Sequence, residues 1–299
     1  MSTRVQIIDV APRDGLQNEK TLLSTADKVE LIRRLVAAGI TKVETTSFVH
    51  PRLVPAMADA EAVMASLEPL PGVSYIGLAL NERGVERAIA AGCDEVNAVV
   101  VAAEGFGHHN QGMTPEESVA VWTRIAARAH EAGVVPSLVI SVAFGCPFDG
   151  EVPTRRVAAL AAAAASAHPA RLTLADTIGV AGPTDVHERI RAVRDAVGDG
   201  VELGVHFHNT RNTGIANAYA ALEEGVRMFD ASLGGVGGCP FAPDATGNIP
   251  TEDLVYMLHR MGVETGIDLE LLADAARWLE TRLGHPIPGL YAKAGPFPR

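Results

Sequence analysis

The sequence is poor in cysteine, with three in 299 residues, and poor in aromatics, at 5%. It also has no apolar run approaching the roughly 18 residues that suggest a membrane-spanning helix. Cys93, Cys146 and Cys239 form no CxxC pair and are odd in number, which fits reduced thiols better than a disulfide framework. With aromatics so few and Ala, Val, Leu and Ile dominant, the composition suits helices packed on a buried parallel sheet, not an all-β sandwich. Positive charge is also short: 25 Lys and Arg stand against 36 Asp and Glu, a balance of -11. That balance repels a phosphate backbone, and no basic patch overrides it, so no nucleic-acid partner is expected. The start MSTRVQIIDV leads directly into a strand without an apolar signal run, and the expectation is a cytoplasmic protein with no membrane partner.

What is abundant is alternation. Short β-branched runs are separated by Ala-rich helical patterns, the mark of repeated βα units with a parallel sheet. Eight runs are read, at 4–10, 41–46, 73–80, 94–101, 134–142, 170–175, 201–207 and 228–232. Eight strands can close, so the expectation is an α/β chain folded as a single (β/α)8 TIM barrel over 1–265, with a short C-terminal helical extension and tail over 266–299. Thr25 to Gly39 reads as the first helix, capped by Ser24 or Thr25; Thr114-Pro115-Glu116-Glu117 reads as another helix start; Asp268 to Leu283 reads as an added helix. The Ala-rich run at 158–167, Trp122 and Trp278 read as helix packing.

Barrel closure places chemistry at the strand C-termini, and polar residues collect there. Arg13 and Asp14 follow the first strand, Glu44 and Ser47 lie at the second, Asp176 and Thr177 at the sixth, and His206 and His208 end the seventh. Residues two apart on a strand face the same way, so both imidazoles can point into the barrel mouth toward one ion. Asp14 supplies a carboxylate and Asn248 could add an amide oxygen. Oxygen and nitrogen ligands without thiolate suit Mg or Mn, with Zn, Co or Fe also allowed. The bland alternatives are a cap for Asp14 and a turn residue for Asn248. The segment GGVGGCPFAPDATGN, 234–248, places four glycines in five positions before Cys239 and reads as a lid that could carry this thiol into the site as a proton donor or acceptor. Cys93 and Cys146 read as small buried hydrophobes, and His108 and His109 as solvated loop residues.

The chain resembles the 3-hydroxy-3-methylglutaryl-CoA lyase family over nearly its whole length. The landmarks are VAPRDGLQNEK at 10–20, VETTSFVHPRLVPAMAD at 43–59, GCPFDG at 145–150, ADTIGVAGP at 175–183, HFHNT at 206–210 and LGGVGGCPFAPDATGNIPTEDLVYML at 233–258. The resemblance implies that Asp14, His206, His208 and Asn248 bind a divalent cation, Mg or Mn. It also implies that Arg13 stabilises the thioester enolate and that Glu44 and Asp176 support the ligand shell and substrate hydroxyl. Cys239 would handle a proton, and Gln17 and Lys20 would lie near the acyl-CoA. The implied protein is a homodimeric, hydroxymethylglutaryl-CoA lyase-like carbon–carbon lyase of leucine degradation, cleaving hydroxymethylglutaryl-CoA to acetyl-CoA and acetoacetate or acting on a close analogue. Candidates for the base are His206, a metal-activated water and Asp176, with His206 favoured as proton shuttle.

Two features depart from the family pattern. Asn209 and Asn212 stand after HFH where many members carry Asp and Gly, and the strand before GCP reads LVISVAF, where Val139, Val142 and Ala143 leave only Ser141 hydroxylated. A remodelled acyl pocket is therefore expected. The competing readings are a metal-dependent aldolase or condensing synthase acting on a 2-oxo acid, and a non-catalytic acyl-CoA sensor.

Overall fold

The computed structural model describes residues 3–238 and 247–297. Its strands are β1 (Gln6–Asp9), β2 (Lys42–Ser47), β3 (Ser74–Leu78), β4 (Glu95–Val101), β5 (Val135–Ser141), β6 (Gly145–Cys146), β7 (Gly150–Glu151), β8 (Arg171–Asp176), β9 (Glu202–Phe207) and β10 (Met228–Ala231). Eight of them close in the order β1-β10-β9-β8-β5-β4-β3-β2, every pairing parallel, while β6 and β7 form a separate antiparallel pair. This is the expected TIM barrel. The barrel shuts where the first strand meets the last, with Ile8 opposite Asp230.

Helices wrap the outside, and their limits follow from local chemistry. Ser24 Oγ accepts from Asp27 N at 3.1 Å to open the helix Thr25–Ala37. Thr114 and Glu117 form a reciprocal capping box on Pro115–Glu131, and Asp268 caps Leu269–Leu283. Between helices and strands lies the main core, including the fully buried Leu31, Ile32, Leu35 and Trp122. Each such aliphatic side chain contributes roughly 1.5–3 kcal/mol through burial. Trp122 also donates Nε1–H to the Ala164 carbonyl at 2.9 Å.

The barrel interior is different. Ile8, Val10, Ile76 and Met228 form a small separate apolar cluster. Around them the inward positions carry Glu44, Glu95, Asn97, Ser137, Arg171, Thr173 and Asp230, all buried. Parallel strands buried on both faces are usually apolar throughout, so this polar lining marks a barrel built around a charged site.

The C-terminal tail returns to the barrel mouth. Gly289 N donates to the Gly234 carbonyl at 2.8 Å, and the amides of Leu290 and Tyr291 donate to Asp253. Beneath this latch lies Glu252, 0% exposed, whose Oε2 accepts from Gly234 N at 2.9 Å while Oε1 has no partner among the described residues. Burial pushes its carboxyl up to about 8. A raised pKa contributes stability below the unfolded value that is lost as pH rises through the folded one. Stability is thus expected to fall between about pH 4.5 and pH 8. Glu252→Gln should remove most of that slope, on the order of 3 kcal/mol, in urea melts compared at pH 6 and pH 9; an unchanged slope would assign it elsewhere.

Candidate metal centre at the barrel mouth

Asp9 ends β1 and faces outward, accepting from Ala11 N at 2.9 Å and from Thr251 Oγ1 at 2.7 Å. The chain then makes a single π-type turn, Ala11–Gly15, in which Gly15 N reaches back to the Val10 carbonyl at 3.1 Å. That turn swings Arg13 and Asp14 over the barrel mouth. Across from it, the period of β9 points His206 and His208 inward and Phe207 outward into the helix layer. Asn248 is pinned beside them by an antiparallel bridge to His208 and by flanking bonds, Asn209 N to Gly247 O at 2.8 Å and Ile249 N to Phe207 O at 3.1 Å. Gly237 takes φ +108, and a Cβ there would lie 2.7 Å from Asn248 Nδ2, so only glycine lets the amide settle against the mouth.

The ligand atoms of Asp14, His206 and His208 all fall within 4.8 Å of one another. The two imidazoles meet Nε2 to Nε2 at 3.1 Å, and His206 Nε2 is 4.0 Å from Asp14 Oδ2. Asn248 Nδ2 donates to Asp14 Oδ2 at 2.8 Å and to the Val236 carbonyl at 3.1 Å, leaving Oδ1 buried without a partner among the described residues. Converging imidazoles, an adjacent carboxylate and an orphaned amide oxygen fit a divalent cation of hard or borderline character.

Electrostatics support this arrangement. Burial alone would raise Asp14, but Arg13 and the two imidazoles outweigh it and hold the carboxyl at about 2. Burial and the neighbouring His206 push His208 down to about 4, keeping it a neutral potential ligand at pH 7. Arg13 is clamped by Nε to Glu44 Oε2 at 2.6 Å, by a second ion pair to the same carboxylate, and by one terminal nitrogen to Asp14 Oδ1 at 2.7 Å. Of five guanidinium N–H groups, two have no bond to a described residue, and Arg13 lines the cavity over the cluster. Glu44 is in turn held by Asn97 Nδ2 at 2.9 Å, and Asn97 by Ser137 at 3.2 Å.

A cavity of about 390 Å³ opens over this cluster. Arg13, Asp14, Gln17, His206 and His208 line it, as do Thr177 and the apolar Leu78, Val99 and Val139. Lys20 is exposed and off the lining. Asp176 does not share the cavity: Ala175 takes the inward position, and both Asp176 oxygens accept backbone N–H groups, from Val180 at 2.9 Å and Ala181 at 3.0 Å. Its carboxyl holds a turn, so this residue is poorly placed to move a substrate proton. Ser47 is likewise buried away from the cavity. Cys239 lies outside the described residues. Cys93 is buried in the core, where burial lifts its thiol to about 12, and Cys146 is enclosed by Phe148 N, Asp149 N and Asp149 Oδ2. His109 stacks on Phe148 with centroids 4.1 Å apart, on an exposed short helix rather than a loop.

The two asparagines after HFH have structural roles. Asn209 Oδ1 accepts from Gly214 N at 3.1 Å, at the start of the helix Gly214–Glu223. Asn212 takes φ +58, a left-handed conformation that Asn tolerates better than most residues. The backbone that a glycine would serve is therefore preserved.

Sequence reasoning missed Asp230, Arg171 and Glu95. Asp230 lies opposite His206 in the β9–β10 register, and its Oδ2 is 3.5 Å from His206 Nδ1. The available signal was a charged residue within a strand buried on both faces, which requires a partner. Val142 was read only as an apolar departure; it takes φ +50, rare for a β-branched residue, and its N–H reaches Thr177 Oγ1 at 2.8 Å.

The HMGL-like family pattern matches residues 4–279. Over 302 aligned residues the chain is 46% identical to an (R)-citramalyl-CoA lyase of Chloroflexus aurantiacus, covering 98% of this chain and 95% of the relative. It is 39% identical to a hydroxymethylglutaryl-CoA lyase of Bacillus subtilis, covering 95% of each. An HMG-CoA lyase from Acinetobacter baumannii, solved with coenzyme A and 3-methylmalate, superposes with a TM-score of 0.93 at 39% identity, over 99% of this chain and 96% of that one. The chain therefore belongs to the HMGL-like family, as an acyl-CoA carbon–carbon lyase of the hydroxymethylglutaryl-CoA lyase type.

Proposed function

We propose that the chain cleaves the C2–C3 bond of a 3-hydroxyacyl-CoA whose carbinol carbon carries a methyl group and a carboxylate arm, releasing acetyl-CoA and an oxo acid. The observation that carries this reading is Arg13 beside the Asp14, His206 and His208 cluster at one cavity. Breaking that bond transfers the hydroxyl proton to a base, a role that would fall to a water activated by the cation because Asp176 and His206 are otherwise engaged, and leaves an enolate on the thioester. Asp14, His206, His208 and Asn248 would hold a divalent cation, Mg or Mn, whose Lewis acidity makes the hydroxyl easier to deprotonate. Arg13 turns its free N–H groups to the enolate oxygen, and Glu44 keeps the guanidinium from rotating away. His206 directs Nδ1 to Asp230 and Nε2 to the ligand point, so it holds rather than shuttles. Return of a proton to the enolate falls to Cys239, by the family resemblance, and Gln17 on the cavity lining is within the region expected to meet the thioester.

For the acyl group we favour the citramalyl type over hydroxymethylglutaryl. Among the described lining residues Arg13 is the only Arg or Lys, so a distant carboxylate would meet no second cationic side chain, only neutral donors such as Asn110, Ser141 and Thr177 beside the apolar Leu78, Val99 and Val139. A carboxylate on the carbinol carbon itself can be met at the cation locus together with the hydroxyl. The 46% identity to a citramalyl-CoA lyase supports the same choice, while the hydroxymethylglutaryl-CoA lyases at about 40% keep the longer substrate as the second reading. A test is steady-state cleavage of both thioesters by metal-stripped protein before and after Mg or Mn is restored. The expected result is no turnover when stripped, and on restoration a kcat/KM at least about tenfold higher for pyruvate release than for acetoacetate release, a difference of about 1.4 kcal/mol. The reverse order would select hydroxymethylglutaryl-CoA, and metal-independent turnover would sink the mechanism.

A further inference from the structure

We infer that Asp230 is a positioning residue for the cation site: gripped by Arg171, it accepts Nδ1–H from His206 and so fixes the tautomer whose Nε2 lone pair faces the ligand point. This deepens the reading of Asp14, His206 and His208 as cation ligands and rests on it.

A line of alternating charge runs through the barrel interior. Lys42 Nζ donates to Glu95 Oε2 at 2.5 Å, Arg171 reaches Glu95 Oε1 at 3.3 Å, and the other terminal nitrogen of Arg171 donates to Asp230 Oδ1 at 2.9 Å. The second oxygen of Asp230 meets His206 Nδ1 at 3.5 Å. The four charges sum to zero, and three of them, on Glu95, Arg171 and Asp230, are at most 4% exposed. Arg171 starts on β8 and must cross β9 to reach β10. Gly204 makes that possible, since a Cβ there would lie 2.8 Å from Thr173 Oγ1 and 3.4 Å from the Arg171 stem. Thr173 Oγ1 accepts from the same Arg171 nitrogen at 2.8 Å, fixing the fork.

Between the two neutral forms of the ring, a carboxylate held by Arg171 beside Nδ1 favours one. With the proton on Nδ1 the contact is attractive; with it on Nε2, a ring lone pair would face a carboxylate. The Nε2 lone pair of His206 then accepts Nε2–H from His208 across their 3.1 Å contact. That leaves His208 Nδ1 as a bare acceptor, which agrees with its having no partner among the described residues. His206 is thus set for ligation by its neighbour in the adjacent strand, whereas His208 has no comparable carboxylate.

Two measurements test this. In metal-free protein labelled with 15N-histidine, His206 should show the Nδ1-protonated tautomer; an Nε2-protonated ring overturns the proposal without any variant being made. Second, Mn2+ affinity should fall about 10–100-fold in Asp230→Asn, as loss of such outer partners typically does. In Lys42→Met, at the far end of the same line, it should stay within about twofold of the parent. Equal affinity in Asp230→Asn and the parent overturns the role of Asp230 alone. An equal loss in both variants makes the line merely structural. Failure of the parent protein to bind Mn2+ would instead remove the cation reading beneath both.

Discussion

Arg13→Gln should lower kcat by about 10³-fold while KM changes little, because the guanidinium meets charge that develops only as the carbon–carbon bond breaks. Its free N–H groups are aimed by three bonds to Glu44 and Asp14, so no reorganisation is needed at the moment of reaction. Arg13→Lys should recover little, since an ammonium cannot span Glu44 with two parallel N–H groups and still face the cavity. Parallel Mn2+ titrations separate this from metal loss, because Asp14 would also lose its neighbour. A drop in kcat below tenfold with metal binding intact would assign the enolate to another group.

Arg171→Met is expected to cost about 3–5 kcal/mol of stability, the usual penalty for removing one partner from a buried ionic cluster. Glu95 would keep Lys42, but Asp230 would lose the guanidinium that grips it in the barrel interior. At about 2–4 °C per kcal/mol for domains approaching this size, Tm should fall by about 10 °C. The triple variant Arg171→Met, Glu95→Gln, Asp230→Asn should regain a large part of that loss by removing the stranded charges. A single variant melting within about 2 °C of the parent would mean that water reaches this interior.

The fold was legible because alternation of short apolar runs with Ala-rich helices is a global pattern that tolerates errors of a few residues at each boundary. The eight expected strands overlap the eight observed barrel strands, and only the short β6–β7 pair went unread. Site residues depend on parity, which does not tolerate such errors. His206 and His208 were safe because their spacing states their shared face whatever the strand limits. Asp176 was not, since shifting a strand by one residue exchanges its faces; Ala175 took the inward place. Asp230 and Arg171 are 59 residues apart and meet only through closure and the gap at Gly204. No local pattern records such a meeting. The roles of Asn209 and Asn212 were hidden differently, since a helix-start contact and a left-handed φ are backbone properties that residue chemistry alone leaves open.

The order of staves in the barrel has a consequence for when the site comes into being. Asp14 follows the first strand, the histidines end β9, and Asn248 follows β10, yet β1, β10 and β9 are consecutive neighbours around the ring. The proposed ligands therefore straddle the seam where the first barrel strand is joined to the last. During synthesis Asp14 must wait 192 residues for His206, its first partner in the cluster, to emerge, and half-made barrels own no complete site. A cation bound there would act as a clasp on the closure, slowing amide exchange in β1, β9 and β10 more than in β4 and β5 on the opposite wall.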